Sequence, residues 1–123
     1  MPYLKIECSK VLANEIDLNS MLKAFNQIIS ETVNAPLALC KSYLSLTEHS
    51  TVGDGLENLD FVIFKLTLIE GRTHETKQAV VDKLVNCLNK LTQNIEHLKC
   101  HFSFVLNEIS KKNYHFYESI NHS

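Results

Sequence analysis

The sequence predicts an α+β fold in which two β-α-β units form a four-stranded sheet with two helices on one face. Three observations lead there. Four segments carry strand patterning: Tyr3–Cys8, Leu37–Leu46, Phe61–Ile69 and Cys100–Ile109. Two segments between them, opening after Asp17 and Thr73, carry apolar residues at helical spacing. The order strand-helix-strand then occurs twice, so the 123 residues read as a single domain with a pseudo-repeat, 1–60 and 61–123.

In the first strand Leu4, Ile6 and Cys8 face one way, and Tyr3, Lys5 and Glu7 the other. That alternation marks a half-buried strand starting almost at the first residue. Asp17 suits a helix N-cap, because its carboxylate accepts from backbone N–H groups that have no intrahelical partner. Leu18, Met21, Leu22, Phe25, Ile28 and Ile29 follow at helical spacing. Pro36 disfavours helical geometry just before it, so this helix should end near Asn34. The second strand has apolar residues on both faces. Residues 48–60, with Gly53, Asp54 and Gly55, read as a loop.

The third strand, Phe61–Ile69, is apolar on both faces and predicts burial on both sides. Thr73 caps the second helix, with Val81, Leu84, Val85, Leu88, Leu91, Ile95 and Leu98 as its buried stripe. Each β-α-β unit implies parallel pairing through a right-handed crossover. Both helices then cover one sheet face, leaving Leu, Phe and Ile side chains on the other. A bare apolar face of that size predicts oligomerisation.

Composition narrows the function. Twelve basic and 14 acidic side chains give a net charge of -2, and the basic residues are dispersed. Neither feature provides the footprint of a nucleic-acid binder. No stretch approaches the ~18 apolar residues of a membrane span, and no signal segment is evident, so a cytoplasmic protein is expected. Cys8, Cys40, Cys87 and Cys100 lack Cys-x-x-Cys spacing, and three of them sit in apolar or alternating segments, as expected for buried free thiols.

Several strings together resemble a known family. Met1-Pro2-Tyr3 running into Ile6-Glu7-Cys8-Ser9 resembles the opening of the 5-carboxymethyl-2-hydroxymuconate isomerases. Pro36-Leu37-Ala38, Gly53-Asp54-Gly55, Phe61-Val62, Leu66-Thr67-Leu68 and Gly71-Arg72-Thr73 are similar to that family's successive strings, as are Ser103-Phe104 and Glu108. The resemblance covers nearly the whole chain. It implies the tautomerase superfamily, with its macrophage migration inhibitory factor-like fold. It also implies a homotrimer, and an isomerase that moves a proton between atoms of an unsaturated di- or tricarboxylic acid in aromatic catabolism. No cofactor or metal is implied.

The resemblance makes Pro2 the catalytic base. With Met1 removed, its nitrogen is a secondary amine with a usable lone pair. A chain-terminal amine has a pKa of ~7.7–8.0, a proline amine sits higher, and burial lowers it toward neutrality. Such a base takes a proton and returns it elsewhere. The Met-Pro dipeptide alone reads as a chance start, and only the following strand and the distant strings favour the catalytic reading.

Arg72, at the family's Gly-Arg position, offers a planar fork for a substrate carboxylate. The bland alternative is a turn arginine paired with Glu70 or Glu75. Lys41 stands where the family's Ile-Arg-Ser-Arg string has its first arginine, and Tyr43 replaces the second. The charge at Lys41 survives without the fork, and an outward-facing strand lysine is the other reading.

His97, Cys100 and His101 have metal-ligand spacing only on a continuous helix, and the predicted helix-to-strand change falls among them. Cys8 and Cys40 lie near the proposed site and read as core packing. Two alternatives to the isomerase remain: a non-catalytic trimeric interaction protein on the same fold, and a tautomerase of a different enol acid.

Overall fold

Seven main elements follow one another in the computed structural model, which describes residues 1–56, 59–96 and 99–120. They are β1 (Tyr3–Ser9), α1 (Lys10–Ala13), α2 (Leu18–Val33), β2 (Lys41–Thr47), β3 (Asp60–Ile69), α3 (His74–Thr92) and β4 (Cys100–Ile109). The sheet order is β2-β1-β3-β4. Each helical crossover returns the chain parallel to the strand before it, so β1 pairs parallel with β2 and β3 with β4. The two units meet antiparallel along β1 and β3, with Tyr3 opposite Thr67 and Glu7 opposite Ile63. The predicted α+β architecture is therefore present.

That antiparallel seam decides where a site can form. β1 and β2 begin at one end of the sheet, and β3 and β4 finish at the same end. Residues near the start of the first unit thus meet residues that follow the strands of the second.

The core lies between the sheet and the two long helices. Leu4, Ile6 and Cys8 of β1 and Val62, Phe64, Leu66 and Leu68 of β3 point into it. From α2 come Met21, Phe25, Ile29 and Val33, a ridge at four-residue spacing. From α3 come Val80, Leu84 and Leu88. Phe25 meets Phe64 edge to face at 6.0 Å, and Phe64 stacks on Phe104 at 4.5 Å. Burying each such side chain contributes about 1.5–3 kcal/mol. Lys77 of α3 reaches Glu108 of β4 at 2.7 Å and ties helix to sheet edge.

Several expectations need correction. Leu37–Leu39 is a 3₁₀ turn, not strand. Pro36 fixes φ at -59°, and the N–H groups of Leu39 and Cys40 close onto the carbonyls of Pro36 and Leu37 at 3.0 Å, so pairing begins only at Lys41. The short helix α1 was not foreseen. Ser9 caps it, its hydroxyl accepting from the Leu12 N–H at 3.2 Å. In α3 the deepest stripe runs Val80, Leu84, Leu88, with Val81, Val85 and Leu91 half-buried. The helix stops at Thr92, so Ile95 lies beyond it, and Leu98 lies outside the described residues.

β3 is buried on its helix side, whereas Phe61, Ile63, Lys65, Thr67 and Ile69 are half-buried. The helix-free face is mixed rather than apolar: Ile63 and Val105 share it with Lys5, Glu7, Lys65, Thr67, Ser103 and Asn107. Lys65 pairs with Glu7 across it at 2.7 Å.

Candidate active site

Pro2 precedes β1, and its ring is fully buried. Proline lacks an N–H and suits the head of a strand. Its carbonyl accepts from the Lys41 N–H at 3.1 Å, which extends the β1–β2 ladder by one bond. Lys41 is therefore fixed beside Pro2 by backbone pairing, directly opposite Tyr3.

The Lys41 side chain is exposed at the mouth of an open groove of about 410 Å³, with Ala38 and Leu39 on one side and Phe116 to Ser119 on the other. Its ammonium lies 5.7 Å from the centre of the Tyr3 ring and 5.6 Å from that of Phe116. A cation between two aromatic faces is held there by their quadrupoles. Nζ also donates to the Leu39 carbonyl at 3.4 Å.

Arg72 arrives from β3. Gly71 takes φ +120°, a backbone geometry that L side chains rarely adopt, and turns the chain between β3 and α3. The guanidinium then reaches the C-terminus of α2. Nη1 donates to the Ile69 carbonyl at 2.9 Å, and Nε and Nη2 both donate to Val33 at 3.4 Å. The last helical carbonyls lack intrahelical partners and carry the negative end of the helix dipole. Asn34, in left-handed geometry, ends α2 and leaves the Val33 carbonyl turned toward Arg72. Arg72 is thus a half-buried structural clamp as well as a cation, and neither Glu70 nor Glu75 takes it in an ion pair among the described residues.

Both cations reach the chain's first amine. The Met1 ammonium has a pKa below the ordinary value of 8.0. Burial is the largest cause, Lys41 the next, with an opposing contribution from Cys40 and a smaller lowering by Arg72. The amine donates to the Tyr114 hydroxyl at 3.1 Å. Pro2, Lys41 and Arg72, separated by up to 70 residues in sequence, share one end of the sheet.

Sequence reasoning assigned no role to the aromatic tail. A 3₁₀ turn at Lys111–Asn113 folds the chain after β4 back over the start of β1. Tyr114 then meets Tyr3 edge to face at 6.4 Å. Three aromatic residues within a polar terminal stretch were the available signal.

The cysteines divide. Cys40 is buried next to the amine, and burial raises its pKa. Cys8 is not near the site: it pairs with Leu46 at the far end of β1, about 20 Å from Pro2 at strand rise. Cys100 and His101 are neighbours on β4 and point to opposite faces, while His97 lies outside the described residues. Among the described residues no cluster of three metal-ligating side chains forms, and no helix is long and apolar enough to cross a membrane.

Comparison with known structures first gives the class: the fold is that of the tautomerases. A 5-carboxymethyl-2-hydroxymuconate delta-isomerase superposes with a TM-score of 0.83 at 13% identity, over 96% of this chain and 89% of that one. A 5-carboxymethyl-2-hydroxymuconate isomerase from Deinococcus radiodurans R1 gives 0.80 at 19% identity, over 98% and 90%. A fused 4-OT symmetric trimer gives 0.70 at 20% identity, over 96% and 94%. No curated protein matches the sequence significantly. The 5-carboxymethyl-2-hydroxymuconate isomerase family model matches residues 2–122, and the chain belongs to that family. It is an isomerase of tautomerase type.

Proposed function

We propose that the protein isomerises 5-carboxymethyl-2-hydroxymuconate, or a similar unsaturated hydroxy di- or tricarboxylic acid, with Pro2 as base and then acid. The observation that carries this reading is the field of Lys41 and Arg72 at the N-terminal amine. Partial burial, the charge of Lys41 and, more weakly, that of Arg72 lower the amine's pKa and so favour the neutral form that accepts a proton. The same two cations attract a carboxylated substrate. Removal of Met1 places the free amine one residue deeper, on a fully buried proline.

The steps then balance. The Pro2 lone pair takes the 2-hydroxyl proton, and the electrons of the O–H bond form the C2 carbonyl. The diene π electrons shift along the chain, and its far carbon takes the proton back from the Pro2 ammonium. The product is the unsaturated keto acid. Lys41 and Arg72 bind carboxylates and stabilise the dienolate charge between the two transfers.

Lys41 is a point charge held between aromatic rings rather than a fork. That favours, as a second reading, an enol acid with an apolar portion that lies along Phe116. Comparing the ultraviolet decay of 5-carboxymethyl-2-hydroxymuconate and of enol phenylpyruvate with Met1-free protein tests both readings. Loss of neither absorbance above the buffer rate would refute them.

A homotrimer completes the proposal. It is supported by the symmetric-trimer relative and by the helix-free sheet face, where Tyr43 is 49% and Val105 42% exposed. Sedimentation equilibrium should return three times 14.0 kDa. A stable monomer at micromolar concentration would overturn it.

A further inference from the structure

Tyr114 is the side chain that closes on the N-terminal amine, and the catalytic reading above gives it no task. Its placement is built. Ser110 caps the turn after β4, its hydroxyl accepting from the Lys112 N–H at 3.3 Å, and the Asn113 N–H closes onto the Ser110 carbonyl at 2.9 Å. The phenol is thereby carried to the head of β1, packed edge to face on Tyr3. Phe116, two residues on, covers the Lys41 ammonium.

The Met1 nitrogen, 3.1 Å from the Tyr114 hydroxyl, marks a definite point in front of Pro2. Three covalent bonds separate it from the Pro2 nitrogen, which sets their distance at about 2.8–3.7 Å. A base must lie about 2.6–3.2 Å from the atom whose proton it takes. Met1 removed, the oxygen of a substrate hydroxyl placed at that point lies within reach of both the Pro2 nitrogen and the Tyr114 hydroxyl. Lys41 and, more weakly, Arg72 act against the positive charge of the amine there, and charges of that sign favour a developing oxyanion.

We propose that Tyr114 is a substrate-binding residue whose phenol donates a hydrogen bond to the 2-oxygen of the dienol acid as that oxygen gains charge. This rests on the Pro2 reading. The hydroxyl has one hydrogen and two acceptor sites. In this structure it accepts from the amine. With substrate in place its hydrogen turns from Tyr3 to the 2-oxygen. Donating to Tyr3 raises the Tyr114 pKa from its ordinary 10.0 in this structure, and even the ordinary value leaves the phenol protonated at neutral pH. A donor that neither ionises nor competes with Pro2 for the proton suits this task.

The test uses Met1-free protein, 2-hydroxymuconate as substrate and cis,cis-muconate, which lacks the 2-oxygen, as competitive inhibitor. Tyr114→Phe keeps the ring and its packing on Tyr3. Its kcat/KM for 2-hydroxymuconate should fall about 10–150-fold, the effect of losing one hydrogen bond to a charged oxygen. The inhibition constant of cis,cis-muconate should not move, and the melting temperature should hold. Unchanged kcat/KM would overturn the proposal. So would an equal loss for both acids, which would make Tyr114 a wall of the groove rather than a donor to the 2-oxygen. If the unmutated Met1-free protein leaves 2-hydroxymuconate unisomerised, the Pro2 reading fails on that substrate, and equilibrium binding decides Tyr114 alone. The unmutated protein should then prefer 2-hydroxymuconate over cis,cis-muconate, and Tyr114→Phe should abolish the preference. A preference that survives the substitution, or that the unmutated protein lacks, overturns the proposal.

Discussion

Arg72 and Val33 are joined by two hydrogen bonds: Nε and Nη2 both donate to the Val33 carbonyl at 3.4 Å. The contact spans 39 residues and ties the turn after β3 to the end of α2. Arg72 therefore serves the fold and the site together. A guanidinium has five N–H donors, so its backbone contacts do not exhaust it.

Arg72→Ala should accordingly cost stability and activity at once. Loss of partly exposed charge-assisted bonds should lower unfolding stability by about 1–2 kcal/mol. With the protein still folded, kcat/KM for a dicarboxylic dienol should fall about 10–150-fold. Arg72→Lys should retain more activity than Arg72→Ala and recover less of the stability, because a point charge cannot serve two carbonyls and a substrate. Denaturant titration and steady-state kinetics on the same preparations separate the effects. Full catalytic efficiency in folded Arg72→Ala would leave Arg72 a clamp only.

Activity should scale with the fraction of molecules lacking Met1. While Met1 is attached, the Pro2 nitrogen is an amide without basicity. Intact-mass spectrometry measures the processed fraction, and acylation of processed protein should abolish turnover. Equal rates from homogeneous Met1-bearing and Met1-free protein would make the proline-base mechanism wrong.

Lys41→Met should shift the acid limb of the pH–rate profile to higher pH. The active form of the base is the neutral amine, so activity rises with pH through its pKa. The Lys41 charge lowers the pKa of the N-terminal amine, and its removal lets the ammonium persist to higher pH. Lys41→Arg keeps the charge, should leave the limb in place, and offers substrate a fork. A limb that does not move in Lys41→Met would separate Lys41 from the amine.

The thiols should alkylate slowly in the native state. Burial raises the pKa of Cys8, Cys40 and Cys87, and that of Cys100 from 9.0 to about 11. At pH 8 the Cys100 thiolate is then about 100-fold scarcer than in the unfolded chain. The sign of the linked stability follows. A thiol whose folded pKa is raised contributes stability that is complete below about 9 and lost as pH climbs toward about 11. Iodoacetamide labelling followed by peptide mass mapping checks the first expectation, and urea midpoints across the alkaline range check the second. Labelling of Cys100 as fast as in urea would refute the burial account.

Local pattern carried the four strands, the two long helices and the class, but not α1 or the 3₁₀ turn at Leu37–Leu39. Alternation in β1, the four-residue ridge of α2 and the caps Asp17 and Thr73 act over a few residues, so they can be read locally. Order and spacing of short strings then pointed to the family, and to Pro2, Lys41 and Arg72. The tertiary structure decided what no local pattern encodes. The antiparallel seam between β1 and β3 brings the head of the first unit to the tail of the second, and with it Arg72 and Tyr114 to the N-terminal amine. It also made the helix-free face mixed, because the register sets Lys65 beside Glu7 and Lys5 among the half-buried apolar residues. Strand register and the path of the aromatic tail depend on contacts between residues far apart in the chain. Their free energies exist only once the sheet has formed, so the segments taken singly carry no trace of them.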